Sequence, residues 1–271
     1  MTTLVQSRSG IVGAVQEMLA HRDLLFIITW REIRIRYKQS VMGFLWAILM
    51  PLIITGAGVL LRIAASKMAS EPLNGDGIAS VALKSLPWAF FVSALRFGTN
   101  SLTSNSHLVT KIKFPRMIFP LSSVASALTD LAVAAPLIIL LLPFLGVHAS
   151  LTMLWGPVIL LILVLFTAGV CIFTSAVNLF FRDVKYIIEV ILTFAIFFTP
   201  VLYDAHIAGK WQWLLMLNPI APLLEALTAT VIRGQQPDFP WLGYSVLMTA
   251  IFLLGGITLF RALEPRFAES V

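Results

Sequence analysis

Residues 151–181 read LTMLWGPVILLILVLFTAGVCIFTSAVNLFF, a run that contains no Asp, Glu, Lys, Arg or His. An α-helix rises about 1.5 Å per residue and a bilayer's hydrocarbon layer is roughly 30 Å thick, so about 20 apolar residues cross it. This run is long enough to cross, and then to tilt or project as helix. The rest of the chain agrees. A soluble domain carries roughly 25% charged residues, whereas this 271-residue chain carries 12%, with 59% hydrophobic residues and a mean hydropathy of +0.93. In water such a composition would expose large apolar patches. The bilayer is its solvent.

Working outward, five further segments qualify as spans: about Val41–Leu61, Leu83–Leu102 and Met117–Leu145 before the decisive run, Ile187–Leu202 and Trp241–Phe260 after it. The expectation is an all-α membrane protein of six transmembrane helices. Residues 1–40 form a cytoplasmic N-terminus, 41–260 the membrane domain and 261–271 a cytoplasmic tail. With the N-terminus inside, fourteen of the nineteen Lys and Arg residues fall on inner segments; Arg62, Lys67, Lys84, Lys210 and Arg233 fall outside. The positive-inside rule then places both termini in the cytoplasm. The formal charge of +6 reflects orientation and anionic lipid rather than nucleic acid. Residues 1–20 lack a compact apolar stretch and a small-residue cleavage site, so the first spans are expected to act as the membrane address. Cys171, alone in an apolar run, excludes an internal disulfide or a multi-cysteine metal site.

Two segments are apolar yet not spans. Trp211–Leu217 and Ala221–Ile232 are each too short to cross, and Asn218-Pro219 with Pro222 separates them. They predict a helical hairpin between spans five and six, either re-entrant and packed against protein or lying at the interface. Residues 14–38 mix Leu24, Ile27, Ile28 and Ile35 with charge and contain no Pro and no Gly, which predicts an amphipathic interfacial helix. At 100° per residue, Arg31, Arg34 and Lys38 share an arc of about 60° near its apolar stripe, and Arg36 points almost the opposite way.

The loop Ser104–Arg116 predicts one or two turns of basic helix, capped by Asn105 or Ser106 and stopped by Pro115. Such a piece can dock on a soluble subunit or be an ordinary positive-inside loop. Asn178–Lys185 reads as a turn of mixed charge. Asp130 is the ionisable group near the middle of a span, costly unless paired or hydrated; His21, His107, His148 and His206 lie outside the central spans, so no proton relay is expected. Trp88, Phe90, Phe91, Phe194, Phe197, Phe198 and Tyr203 fall near the outer ends of spans two and five. They read as an interfacial belt or as flat faces for sugar rings. The chain contains no G-x-x-x-x-G-K-[ST], H-E-x-x-H or G-x-S-x-G. No catalytic residue, metal site or nucleotide pocket is therefore expected, and the energy for active transport must enter from elsewhere.

Five motifs stand in order along the chain: Arg36-Tyr37-Lys38-Gln39-Ser40-Val41-Met42-Gly43-Phe44-Leu45-Trp46 with Pro51; Phe114-Pro115-Arg116 with Pro120; Asn178-Leu179-Phe180-Phe181-Arg182-Asp183-Val184; Thr199-Pro200-Val201; and Asn218-Pro219 with Pro222. Together they cover nearly the whole chain and resemble the permease subunits of polysaccharide-exporting ABC transporters, the O-antigen, capsule and teichoic-acid exporters. The resemblance implies a bacterial inner-membrane homodimer bound to two ATP-binding cassette subunits, which hold the ATP and Mg; this chain needs no cofactor. It implies that Asn105–Lys113 is a coupling helix, with Asn105, His107, Leu108, Thr110, Lys111, Lys113 and Arg116 facing the ATPase. Arg31, Arg34, Arg36, Tyr37 and Lys38 would gate the entrance and meet a polyprenyl diphosphate, for which the planar arginine fork is suited. The cargo would be a lipid-linked polysaccharide, O-antigen first, passing a channel at the dimer centre past Trp88, Phe90, Phe91, Phe197, Phe198 and Tyr203. Two alternatives stand beside this reading. One is an exporter of the same fold for a drug or small lipid. The other is a membrane-embedded glycan or lipid transferase using Asp204, His206 and Asp238.

Overall fold

A computed structural model describes residues 11–38, 40–43, 45–69, 75–111 and 114–267. These fold as helices α1 (Ile11–Ala20), α2 (Arg22–Lys38), α3 (Leu45–Ala69), α4 (Gly75–Ser104), α5 (Ser106–Lys111), α6 (Ile118–Leu141), α7 (Trp155–Phe180), α8 (Val184–Phe198), α9 (Gln212–Met216), α10 (Ile220–Leu227) and α11 (Phe239–Leu263), with short 3₁₀ and π turns between them and no strand among the described residues. Without water, a backbone in lipid must satisfy its own hydrogen bonds, and the helix does this within one segment.

α4 and α7 form the centre. α4 packs on α3, α6, α7 and α8, and α7 packs on α6, α10 and α11. Small residues let backbones approach, since lipid supplies no hydrophobic drive between helices. A Cβ on Gly169 of α7 would stand 2.6 Å from the Leu253 nitrogen and 2.7 Å from the Phe252 carbonyl carbon of α11, and one on Gly256 would stand 2.7 Å from the Gly169 oxygen. These two helices touch backbone to backbone. Arg261 of α11 pairs with Glu17 of α1 at 3.2 Å, so both described ends of the chain meet at the same end of the bundle.

Five helical stretches are long and apolar enough to span: Leu45–Ala64, Gly75–Ser104, Ile118–Leu145, Leu151–Phe180 and Phe239–Arg266. The segment expected as span five is α8, whose 15 residues cover only about 22 Å. Thr199 turns extended ahead of Pro200, which disfavours helix in the residue before it. Val201 and Leu202 fold back, buried. The expected outer loop 62–85 shrinks as well: α3 continues to Ala69 and α4 already begins at Gly75. Hydropathy ends a span at its first charge, whereas helical hydrogen bonds do not. Trp88, Phe90 and Phe91 consequently lie in the middle of α4, not at its outer end.

Segment 205–232 forms the expected pair of short apolar helices. Gly209, at φ +51°, kinks the 3₁₀ turn ahead of α9. Between α9 and α10, the Asn218 side chain donates to Thr199 Oγ1 at 2.8 Å and accepts from the Ile220 N–H at 3.2 Å. Pro222 fits the first turn of α10, where a missing N–H costs nothing. α10 packs on α4, α7 and α11, and Ile220–Leu224 are buried throughout.

Candidate functional site

α2 runs beside the first half of α6. Near its start Thr29 donates back to the Leu25 carbonyl at 2.8 Å, and Ile28 and Ile33 turn inward. Ser122 of α6 donates to Glu32 at 2.9 Å. Burial pushes the Glu32 carboxyl above its ordinary range, against the hydrogen bonds from Ser122 and Ser123 and the charges of Arg36 and Arg31. One turn later α2 reaches Asp130. Arg36 Nη1 lies 2.6 Å from Asp130 Oδ2, and the Tyr37 hydroxyl donates to Oδ1. The guanidinium carbon sits 4.1 Å from the Phe97 ring centre, a cation–π contact, and Nη1 also faces Ser93 Oγ at 3.4 Å. The carboxylate that seemed isolated in its span is therefore paired with a residue 94 positions away.

This pair forms one wall of a cavity of about 360 Å³. Trp46 and Pro51 of α3, Trp88, Phe90 and Phe97 of α4, and Leu131 of α6 supply apolar faces, and Arg96 stands at the polar end. Arg96 meets Glu189 of α8 through two contacts, at 2.7 Å and 3.0 Å. The fold thus brings two members of the expected gate, Arg36 and Tyr37, together with two of the expected aromatics, Trp88 and Phe90.

The other expected residues disperse. Arg34 stacks over Trp30 at 5.4 Å and Lys38 is exposed. Arg31 turns to the α4–α5 junction, donating to Asn105 Oδ1 at 2.5 Å, while Asn105 Nδ2 donates to the Ser101 carbonyl at 2.8 Å. His107 is exposed and Leu108 packs against the cluster around Ile28 and Met117. Thr110 and Lys111 complete α5; Lys113 lies outside the described residues. Arg116, expected on the docking surface, is half-buried, donating to the Glu264 carbonyl at 2.7 Å. Phe91 is core, stacked on Phe166 at 6.3 Å and tilted against Trp88 at 5.9 Å. Phe197 and Phe198 at the end of α8 are exposed, and Tyr203 donates to the Phe197 carbonyl at 2.8 Å. Phe91→Ala is accordingly expected to cost about 3–5 kcal/mol, and Phe198→Ala next to nothing, in thermal unfolding of detergent-purified protein.

Sequence reasoning missed a second charged cluster. Lys84, assigned to an outer loop, is fully buried in α4. Its Nζ meets Asp204 Oδ1 at 3.0 Å, Glu225 Oε1 of α10 at 2.6 Å and the Tyr203 carbonyl at 3.3 Å. Asp204 also accepts from Arg62 at 2.8 Å and Ser80 at 2.7 Å, with Arg233 at 3.8 Å. Burial alone would raise the Asp204 carboxyl; the Lys84 charge and the hydrogen bonds from Arg62, Ser80 and Lys84 outweigh it and hold it well below the usual carboxylate range. Three of the five cations assigned to the outer side thus converge on one carboxylate. A fully buried Asn178 plays a similar part at the opposite end, donating to the Thr99 carbonyl and accepting from the Lys185 N–H, each at 3.0 Å. Its loop is more than a simple turn.

Along most of its length the chain is similar to known proteins. Over 249 residues, 91% of the chain and 94% of the relative, it is 31% identical to the O-antigen export system permease protein RfbA of Klebsiella pneumoniae. The protein of the same name from Myxococcus xanthus is 29% identical, over 96% of this chain and all of its own length. The polysialic acid transport protein KpsM of Escherichia coli is 23% identical over 89% of this chain and 93% of its own. Residues 23–232, from the start of α2 through the π turn after α10, match the model of the ABC-2 type transporter. The chain belongs to the ABC-2 type transporter family.

Proposed function

We propose that this chain is the permease subunit of an ATP-driven exporter that carries a polyprenyl-diphosphate-linked polysaccharide, O-antigen first, across the bacterial inner membrane. The observation that carries this reading is similarity along nearly the full length to permeases named for O-antigen export. The cavity adds chemistry suited to that cargo: arginine at one pole for phosphate, and aromatic and aliphatic walls for sugar faces and lipid chain. α8 is the sixth crossing on this reading; the meeting of Glu17 and Arg261 supports an even number, which returns the end of α11 to the side of α1. The lysine and arginine balance puts both termini in the cytoplasm. α2, which follows α6 from Ser122 to Asp130, is the gating helix at the cytoplasmic entrance, and α9–α10 the re-entrant hairpin near the outer exit. Exposed apolar residues on α3 (Leu45, Met50, Ile53) and on α8 (Ile187, Val190, Phe194) suit a second copy across a central channel. α5 docks on an ATPase that brings the ATP and Mg.

Deleting the gene is expected to strip the glycan from the cell surface with drug sensitivity unchanged; the reverse outcome would assign the fold to a drug or small-lipid exporter. Lys111→Glu, a charge reversal in α5, is expected to reduce co-purification of the ATPase at least tenfold, and unaltered co-purification would remove the docking role. A transferase site gains nothing from the geometry. Asp204 is occupied by Lys84 and Arg62, and Asp238 caps α11, accepting from the Trp241 N–H at 3.4 Å.

A further inference from the structure

We propose that Asp130 is a built-in stand-in for the cargo's phosphate, holding Arg36 and Tyr37 until a lipid-linked phosphate displaces it. The proposal rests on the export reading above and names the regulation of the same cavity.

The geometry supports it in three ways. First, two donors from α2 converge on a single anion. Arg36 meets one oxygen of Asp130 at 2.6 Å and Tyr37 the other, the arrangement that would also hold two oxygens of a phosphate through charge-assisted hydrogen bonds. Second, the pair stands on the wall of a cavity instead of inside a sealed core. Its side chains keep 15% and 16% of their surface, and Arg36 lines the cavity together with Trp46 and Trp88. A carboxylate in an apolar span is costly and tends to mark function, and apolar residues would fill a purely structural position as well or better. Third, the anion belongs to α6 and the donors to α2. An incoming phosphate that takes Arg36 and Tyr37 therefore removes a tie between the two helices. Five residues back along α2, Arg31 is bonded to Asn105 at the start of α5, so freeing α2 is felt at the helix assigned to ATPase docking. Ligands shift such an equilibrium only by differential affinity, and the differential here is phosphate against carboxylate on the same two donors.

The test uses the permease–ATPase complex in nanodiscs. The probes are undecaprenyl diphosphate, inorganic pyrophosphate and undecaprenol, and fluorescence of the cavity tryptophans reports binding. Asp130→Asn, which keeps the shape but removes the charge and one of the two acceptor oxygens, is expected to tighten binding of the diphosphate lipid about tenfold and to raise basal ATP hydrolysis. Arg36→Gln should weaken binding, and Arg36→Gln/Asp130→Asn should bind no better than Arg36→Gln alone. Pyrophosphate that shows the same gain without the lipid assigns the site to free phosphate; a gain confined to the lipid assigns it to a headgroup; either supports the stand-in. Unchanged or weaker lipid binding by Asp130→Asn overturns it. No binding of any probe by any variant would sink the export reading itself.

A second measurement needs no change at Asp130. Spin labels at exposed Ile35 of α2 and Val133 of α6, introduced as Ile35→Cys and Val133→Cys beside the buried Cys171, should separate on adding undecaprenyl diphosphate and stay in place with undecaprenol. An unaltered distance with the diphosphate lipid also overturns the proposal.

Discussion

Lys84→Met is expected to yield a permease that does not survive extraction as a folded protein. The ammonium is sealed from solvent and sits 3.0 Å and 2.6 Å from two carboxylates. Removing one partner from a buried ionic cluster costs about 3–5 kcal/mol, because the remaining charges stay desolvated and uncompensated. Folded proteins hold only about 5–15 kcal/mol in all. The damage would spread, since Lys84 joins α4 to the Tyr203–Ala205 turn and to α10, and the Ala205 N–H shares the same Glu225 oxygen at 3.0 Å. Size-exclusion profiles after a temperature series would read the loss. Adding Glu225→Gln to Lys84→Met should recover part of the stability, because Asp204 keeps Arg62 as its partner at 2.8 Å and no carboxylate of the cluster is then left unpaired. A single variant that melts with the wild type would show that this cluster does not hold the hairpin.

Gly169→Leu should be nearly as damaging, through shape alone. The new side chain would have to grow from a Cβ already 2.6 to 2.8 Å from the backbone of Leu253 and its neighbour. Backbone cannot swing aside as the tip of a side chain can, so α7 and α11 must part. The cost is expected at or above the upper end of the roughly 1–3 kcal/mol usual for overpacking, since a whole helix–helix seam opens. Thermal unfolding in detergent measures it. Gly255→Leu, one residue from the seam and open to space, is the control expected to melt like the wild type.

These two sites show where the sequence spoke and where it was silent. Spans three, four and six were legible because long uncharged runs have no other physical solution, and α6, α7 and α11 match them within a few residues. The two short helices α9 and α10 were legible because Asn218-Pro219 breaks two apolar runs too short to cross. Lys84 was hidden by the logic that found the spans, which takes a charge as the end of a helix although a charge with two partners can be swallowed. Those partners, Asp204 and Glu225, lie more than a hundred residues downstream. Arg36 was singled out as pointing away from Arg31, Arg34 and Lys38, which is the geometry that takes it to Asp130; that the two meet is a property of how α2 lies on α6, and periodicity carries nothing about it. Phe91 and Phe198 look alike as letters. Only packing makes one a core residue and leaves the other bare.

As the proposed sixth crossing, the short helix α8 has a consequence for the surrounding lipid. Its roughly 22 Å fall well short of a hydrocarbon layer of about 30 Å, while α4 and α7 beside it are 30 and 26 residues long. Acyl chains next to α8 must compress or the helix must stand more upright than its neighbours, and either adjustment carries an elastic penalty that grows with chain length. Bilayer thickness thereby becomes a tuning variable, with thin membranes favouring this edge of the protein and thick ones straining it.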